Sequence, residues 1–184
     1  MSIFENYQAR FETTQQAEMT LEEYLIGCRE DKSMYATAAE RLLMAIGAPE
    51  MVDTSNHPRL SRIFSNKVIK TYPTFDGFYG MEDAIESVVS FLRHAAQGLE
   101  EKKQILYLLG PVGGGKSSLA EQLKLLMEKV PFYALKDSPV NESPLGLFDP
   151  DQDAEELHER YGIPVRYLRT IPSPWAVKRL KEYG

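Results

Sequence analysis

The chain has 184 residues, of which 43% are hydrophobic and 26% charged. That length and balance suit a globular protein with a real core, in one large domain or two small ones. A formal charge of −6 excludes a general grip on nucleic acid, which needs surplus Lys and Arg to displace counterions. It still permits a local positive field around one triphosphate. The single cysteine, Cys28, rules out an intrachain disulfide and suits a reducing compartment. Met1-Ser-Ile-Phe-Glu-Asn6 is neither basic nor followed by an apolar run. No stretch approaches the ~18 apolar residues of a bilayer span. The expected setting is the cytoplasm, with no membrane and no nucleic acid as partner.

The first sixty or so residues read as helical. Thr20 opens a capping box with Glu23, after which Leu21, Tyr24, Leu25 and Cys28 recur at helical spacing. Cys28 falls on that apolar stripe and is expected to fill core. A second helix is predicted from about Ser33 to Ile46, with Ala39, Leu42, Leu43 and Ile46 on one face and Gly47 and Pro49 as its stop. From Val52 to Phe75, with His57-Pro58 and Tyr72-Pro73, the text is loop-like. A boundary is placed there, giving a helical module over 1–65 and a second unit over 66–184. Phe78-Tyr79-Gly80 then leads into a helix from Met81 to about Ala96, buried through Ile85, Val88, Val89, Leu92 and Ala96 and closed by Gly98. Glu100-Glu-Lys-Lys103 is a solvated charged turn.

Ile105-Leu-Tyr-Leu-Leu109 is continuous and apolar, as a strand covered on both faces would be. Leu119, Leu123, Leu126 and Met127 mark a following helix, and Phe132-Tyr-Ala-Leu135 reads as a second strand. Strand, helix and strand make a βαβ unit with a right-handed parallel crossover. Asp137 to Asp151 is irregular. Two short helices follow, one over Ala154 to Tyr161 stopped by Gly162, the other from Ser173 as cap and Pro174 toward Tyr183.

Between the first strand and its helix stands Gly110-Pro111-Val112-Gly113-Gly114-Gly115-Lys116-Ser117, the Walker A pattern of glycine, four residues, then Gly-Lys-Ser. Gly110, Gly113, Gly114 and Gly115 can take positive φ and let backbone N–H groups converge on phosphate oxygens. Lys116 is expected at the β and γ phosphates of ATP and Ser117 on Mg²⁺. The helix that begins there, through Ser118, directs its positive end at the anion. A plain glycine-rich turn with an exposed lysine is the alternative.

Phe78-Tyr79-Gly80 lies ahead of a helix, where such a segment can fold against an adenine ring. Stacking on the base and filling of core are both open. Phosphoryl chemistry normally needs a second acid at the end of another buried strand. The local candidate, Leu145-Gly-Leu-Phe-Asp149, is bracketed by Pro144 and Pro150 and reads as loop. His57, His94 and His158 are scattered and suggest no metal cluster. Trp175 reads as packing. His-Arg-Asp and Asp-Phe-Gly are missing from these residues.

Beyond the loop, several longer runs resemble the PrkA family of bacterial AAA-type serine protein kinases. They are Ala38-Ala-Glu-Arg-Leu-Leu-Met-Ala-Ile-Gly47, Pro58-Arg-Leu-Ser-Arg62, Phe78-Tyr-Gly-Met-Glu-Asp-Ala-Ile85, Gln104 through Leu119, and Ser138-Pro-Val-Asn-Glu-Ser-Pro144. The resemblance implies an α/β fold: an α-helical N-terminal lead before an AAA-type P-loop parallel sheet core, present here incomplete. The chain is then expected to be an N-terminal fragment. The second acid, sensor asparagine and arginine finger would lie past Gly184. The implied cofactors are ATP and Mg²⁺, with Lys116 catalytic. The cofactor-binding set is Gly110, Pro111, Val112, Gly113, Gly114, Gly115, Lys116, Ser117, Ser118, Phe78, Tyr79 and Gly80, with Ser117 on the metal. The implied partner is a protein substrate presenting serine, and a homo-oligomer of the longer protein is open. The alternative function is an AAA-type ATPase driving remodelling or proteolysis, this part serving as a nucleotide-binding or interaction module.

Overall fold

The structure, a computed structural model, describes residues 18–56, 58–65 and 67–183. The N-terminal leader reading and His57 fall outside them. Helix α1 (Leu21–Glu30) starts at the expected capping box: Thr20 accepts from the Glu23 N–H, and the Glu23 carboxylate accepts from Thr20 N at 2.7 Å. The second helix is shorter than the predicted span from Ser33, though it holds all the apolar positions that marked it. Asp31 caps a 3₁₀ turn at Lys32–Tyr35, and a second capping box, Thr37 with Glu40, opens α2 (Ala38–Ile46). Each box satisfies two backbone donors that the first helical turn would otherwise orphan.

The loop-like stretch is a correction. Glu50–Asp53 (β1) pairs antiparallel with Val68–Thr71 (β2), in register Glu50 with Thr71 and Asp53 with Val68. Between them lies α3 (Pro58–Phe64), and Thr54, fully buried, ties the ends by donating to the Lys67 carbonyl at 2.7 Å. Strands of four residues joined by a long connection carry little local signal. This pairing crosses position 65.

Helices α4 (Glu82–Ala96) and α5 (Lys116–Met127) stand where their stripes require. With α2 they enclose the first core: Leu42, Ile46, Ile85, Val88, Val89, Leu119 and Leu126, joined by Tyr72 and Phe75. A second core joins Tyr24, Leu25 and Cys28 of α1 to Leu145, Ile163, Leu168 and Leu157 of α6 (Ala154–Tyr161). Helix α7 (Pro174–Tyr183) begins with the Ser173 hydroxyl accepting from Ala176 N. Glu142 holds that cap in place, accepting from Ser173 N at 2.6 Å and its hydroxyl at 2.8 Å.

The expected parallel sheet is not present among the described residues. The two strands β1 and β2 form the sheet there, and Ile105–Leu109 and Phe132–Leu135 carry no ladder. The reason is visible in the burial of the first segment. Leu106 and Leu108 pack on the first core, while Ile105, Tyr107 and Leu109 are 91%, 79% and 85% exposed. Period-two burial belongs to a strand with one face on a core. The apolar run suggested cover on both faces; one face is covered. No helix among the described residues is long and apolar enough to cross a membrane.

Candidate functional site

The glycine-rich loop closes by a turn in which Gly114 N donates to the Pro111 carbonyl at 3.2 Å. Positive φ is used at two of its four glycines, Gly113 (+80°) and Gly115 (+75°). Gly115 is the N-cap of α5 and offers no side chain to cap it. The first intrahelical bond is Leu119 N to the Gly115 carbonyl, at 2.8 Å. The N–H groups of Lys116, Ser117 and Ser118 therefore have no helical acceptor and face outward at the positive end of the helix.

Close approach favours glycine at one further position, Gly114, and again at Gly115. A Cβ on Gly114 would lie 3.1 Å from the Pro111 carbonyl oxygen, and one on Gly115 would lie 2.6 Å from Sδ of Met81. The second contact sets the start of the loop helix against the residue that follows Phe78-Tyr79-Gly80. Sequence reasoning used Met81 only as a helix start, and a tertiary contact of this kind leaves no periodic signal.

Lys116 folds back over the loop. Its Nζ donates to the Gly110 carbonyl at 2.8 Å and to the Pro111 carbonyl at 2.6 Å. An ammonium has three donors, so two are occupied in fixing its position and the third has no partner among the described residues. Ser117 and Ser118 are exposed, and Val112 is fully exposed at the tip. Gly110, Pro111, Gly113 and Gly114 are exposed as well. The loop is thus open to solvent, with the Lys116 ammonium laid against its first two carbonyls.

The aromatic segment divides its tasks. Phe78 packs on the first core, its ring edge-on to Phe75 at 6.0 Å. Tyr79 is 69% exposed, and Gly80 turns the chain with φ +78°. Phe78 and Tyr79 line a cavity of about 320 Å³, with Tyr72, Phe75, Lys70 and Glu82 also in its wall. Glu82 escaped the sequence reading because a helix-start glutamate is ordinary there.

Asp149 is loop, as expected, and turns inward on its own segment. Its carboxylate accepts from Asp151 N and from the Gln152 amide, ahead of α6. No group of three or more potential metal ligands gathers among the described residues. Trp175 is half-buried on α7, with the Arg179 guanidinium 5.8 Å from its ring. Cys28 is buried in the second core, where burial pushes its thiol up to about 11.

The class of the domain comes from a family comparison: it is an AAA-type domain. The model for the PrkA AAA domain matches residues 19–184, and the chain belongs to that family. It is 65% identical over its whole length to the serine/threonine kinase YeaG of Escherichia coli (strain K12). It is 36% identical, over 73% of its length, to the ATP-dependent protease PrkA of Bacillus subtilis (strain 168). The chain spans 29% of the first relative and the match spans 23% of the second. No solved structure matches it.

Proposed function

We propose that this chain is the nucleotide-binding part of an ATP-dependent serine protein kinase, with Gly110–Ser118 holding the triphosphate of ATP·Mg²⁺. One observation carries the reading. The loop joins N–H donors without helical acceptors at the start of α5 to an ammonium held against the same loop by the Gly110 and Pro111 carbonyls. Backbone donors and a helix N-terminus form an anion site. Lys116 supplies the matching charge and would stabilise negative charge developing on the transferred phosphoryl group.

The residues fit the cofactor. The space beside Gly113 is open, since a Cβ there would meet nothing within 4 Å. Ser117 is an exposed hydroxyl beside Lys116 and would ligate Mg²⁺, which when bound neutralises phosphate charge. Phe78, Tyr79 and Gly80 would flank the base, Tyr79 from the open side. The Ile105–Leu109 segment, with one face on the core and one bare, would be the strand of a parallel P-loop sheet. Its neighbours would come from the remainder of the longer protein. We also place the division of the chain near residue 65, the helical lead before it and the ATPase part after it, and expect a cytoplasmic protein without nucleic-acid or membrane partners. The full-length form would present this site to a protein serine, with a homo-oligomer as one assembly.

The name of the B. subtilis relative supports a second reading, in which the same site drives remodelling or proteolysis. Lys116→Ala separates nucleotide use from all else. It should abolish ATP binding by calorimetry, and in the full-length protein it should remove transfer of labelled phosphate to serine. Undiminished ATP binding by the variant would overturn the assignment of the loop. Proteolysis lost in the variant, with no phosphoserine formed by the unsubstituted protein, would favour the second reading.

A further inference from the structure

Among the described residues, two buried side-chain polar atoms have no hydrogen-bond partner: Nε of Arg41 and Oε2 of Glu82. The Arg41 atom is explained by packing, since its guanidinium donates to the Val130 carbonyl and lies over the Phe132 ring. Glu82 has no such account. It lines the cavity beside Phe78 and Tyr79, and two donors of the wall are turned elsewhere: Lys70 Nζ and the Tyr72 hydroxyl both donate to Glu86, at 2.8 and 2.5 Å. A carboxylate oxygen only accepts. Leaving it buried and unpaired is costly, so such an oxygen is paired by a donor from outside the chain, a water or a ligand that displaces it.

The walls say what carries that donor. Tyr72, Phe75, Phe78 and Tyr79 surround a cavity of about 320 Å³, the low end of the range for small-molecule sites of about 300–1,000 Å³. Aromatic walls with an unpaired carboxylate oxygen among them suit a flat heterocycle bearing an amino group. The residue between Tyr79-Gly80 and Glu82, Met81, touches the start of the loop helix at Gly115, so the segment that lines the cavity also abuts the loop.

We infer that Glu82 is a specificity-determining residue whose Oε2 accepts a hydrogen bond from the 6-amino group of a purine, selecting adenine over bases without that donor. The inference rests on the assignment of the Gly110–Ser118 loop to phosphate. A missing hydrogen bond to a charged acceptor is worth a loss of about 10- to 100-fold in affinity.

The test titrates the full chain, with Mg²⁺, by calorimetry against ATP, purine riboside 5′-triphosphate (which lacks the 6-amino group), GTP and inorganic tripolyphosphate. ATP should bind about 10- to 100-fold more tightly than the purine riboside triphosphate and than GTP. Glu82→Ala should erase the difference between ATP and the purine riboside compound while leaving tripolyphosphate binding unchanged. Glu82→Gln, which keeps an acceptor, should hold part of the discrimination. Should the alanine variant not fold, Glu82→Leu serves in its place. Equal binding of ATP and the purine riboside compound by the unsubstituted chain overturns the inference. So does discrimination that survives Glu82→Ala, or GTP binding as tightly as ATP. If tripolyphosphate binding survives Lys116→Ala, the loop assignment fails instead, whatever Glu82 does. A chain that binds none of the four probes overturns both.

Discussion

Replacing Gly115 by alanine should destabilise the chain for two separable reasons. At φ +75° the residue is left-handed, which costs an L-residue about 1–2 kcal/mol. The added Cβ also lands 2.6 Å from Met81 Sδ and 3.3 Å from its Cε. Those atoms end a flexible side chain, so Met81 can rotate away, at about 0.5–1.5 kcal/mol for a strained rotamer. Together Gly115→Ala should cost about 1.5–3.5 kcal/mol. Gly113→Ala is the internal control: φ is +80° and the space is open, so only the torsional 1–2 kcal/mol applies.

Urea unfolding followed by far-UV circular dichroism reads both costs, since a change in midpoint at constant slope is a change in stability. Repeating Gly115→Ala in a Met81→Ala background should return its cost to that of Gly113→Ala, giving a coupling of about 0.5–1.5 kcal/mol. If Gly115→Ala costs the same with and without Met81, the contact between loop and aromatic segment is refuted. A cost below about 0.5 kcal/mol would refute the left-handed geometry itself.

Cys28 is 1% exposed and its thiol is pushed up by burial to about 11. Labelling by a disulfide reagent at pH 8 should therefore be at least about a hundredfold slower in the folded chain than in urea, and comparable rates would contradict its place in the core. Tyr167 is pushed up to about 12, first by burial and then by its hydrogen bond to Glu40, with Arg166 opposing. The folded state thus favours the neutral phenol. Its contribution to stability is complete below the ordinary tyrosine value of about 10 and is lost as pH rises from there through about 12. Tyr167→Phe should remove that component, so parallel stability curves for the two proteins between pH 10 and 12 would count against the Glu40 contact.

Local signals in this chain were legible where the interaction closes within a turn. The Thr20–Glu23 box and the Ser173-Pro174 start both stand where the letters place them. The second box, Thr37–Glu40, was equally written as Thr-x-x-Glu, but the predicted helix began about five residues too early, at Ser33, over the 3₁₀ turn at Lys32–Tyr35. Pairing of β1 with β2 was not legible, because each strand has four residues and α3 intervenes. Ile105–Leu109 shows the limit of composition. Five apolar residues in succession do not say that Leu106 and Leu108 find a core while Ile105, Tyr107 and Leu109 remain bare. In the loop, the positive φ at Gly113 and Gly115 was readable from the glycine spacing; Met81 against Gly115 and the unpaired Glu82 exist only in three dimensions.

The placement of the loop follows from how α5 is held along its length. At its start, Gly115 abuts Met81. Midway, the Gln122 amide donates to the Thr74 carbonyl at 2.7 Å. Past its end, Arg41 of α2 donates to the Val130 carbonyl at 2.5 Å. Between these points Leu119 and Leu126 are buried with Leu42 and Ile46 of the same α2. A loop rich in glycine has little conformational order of its own. Its geometry must therefore be imposed by the elements it joins, and here three of the restraints come from residues 41–81. Helix α2 and the segment from Thr74 to Met81 thus act as the frame that aims the start of α5, and the family match that begins at residue 19 includes that frame.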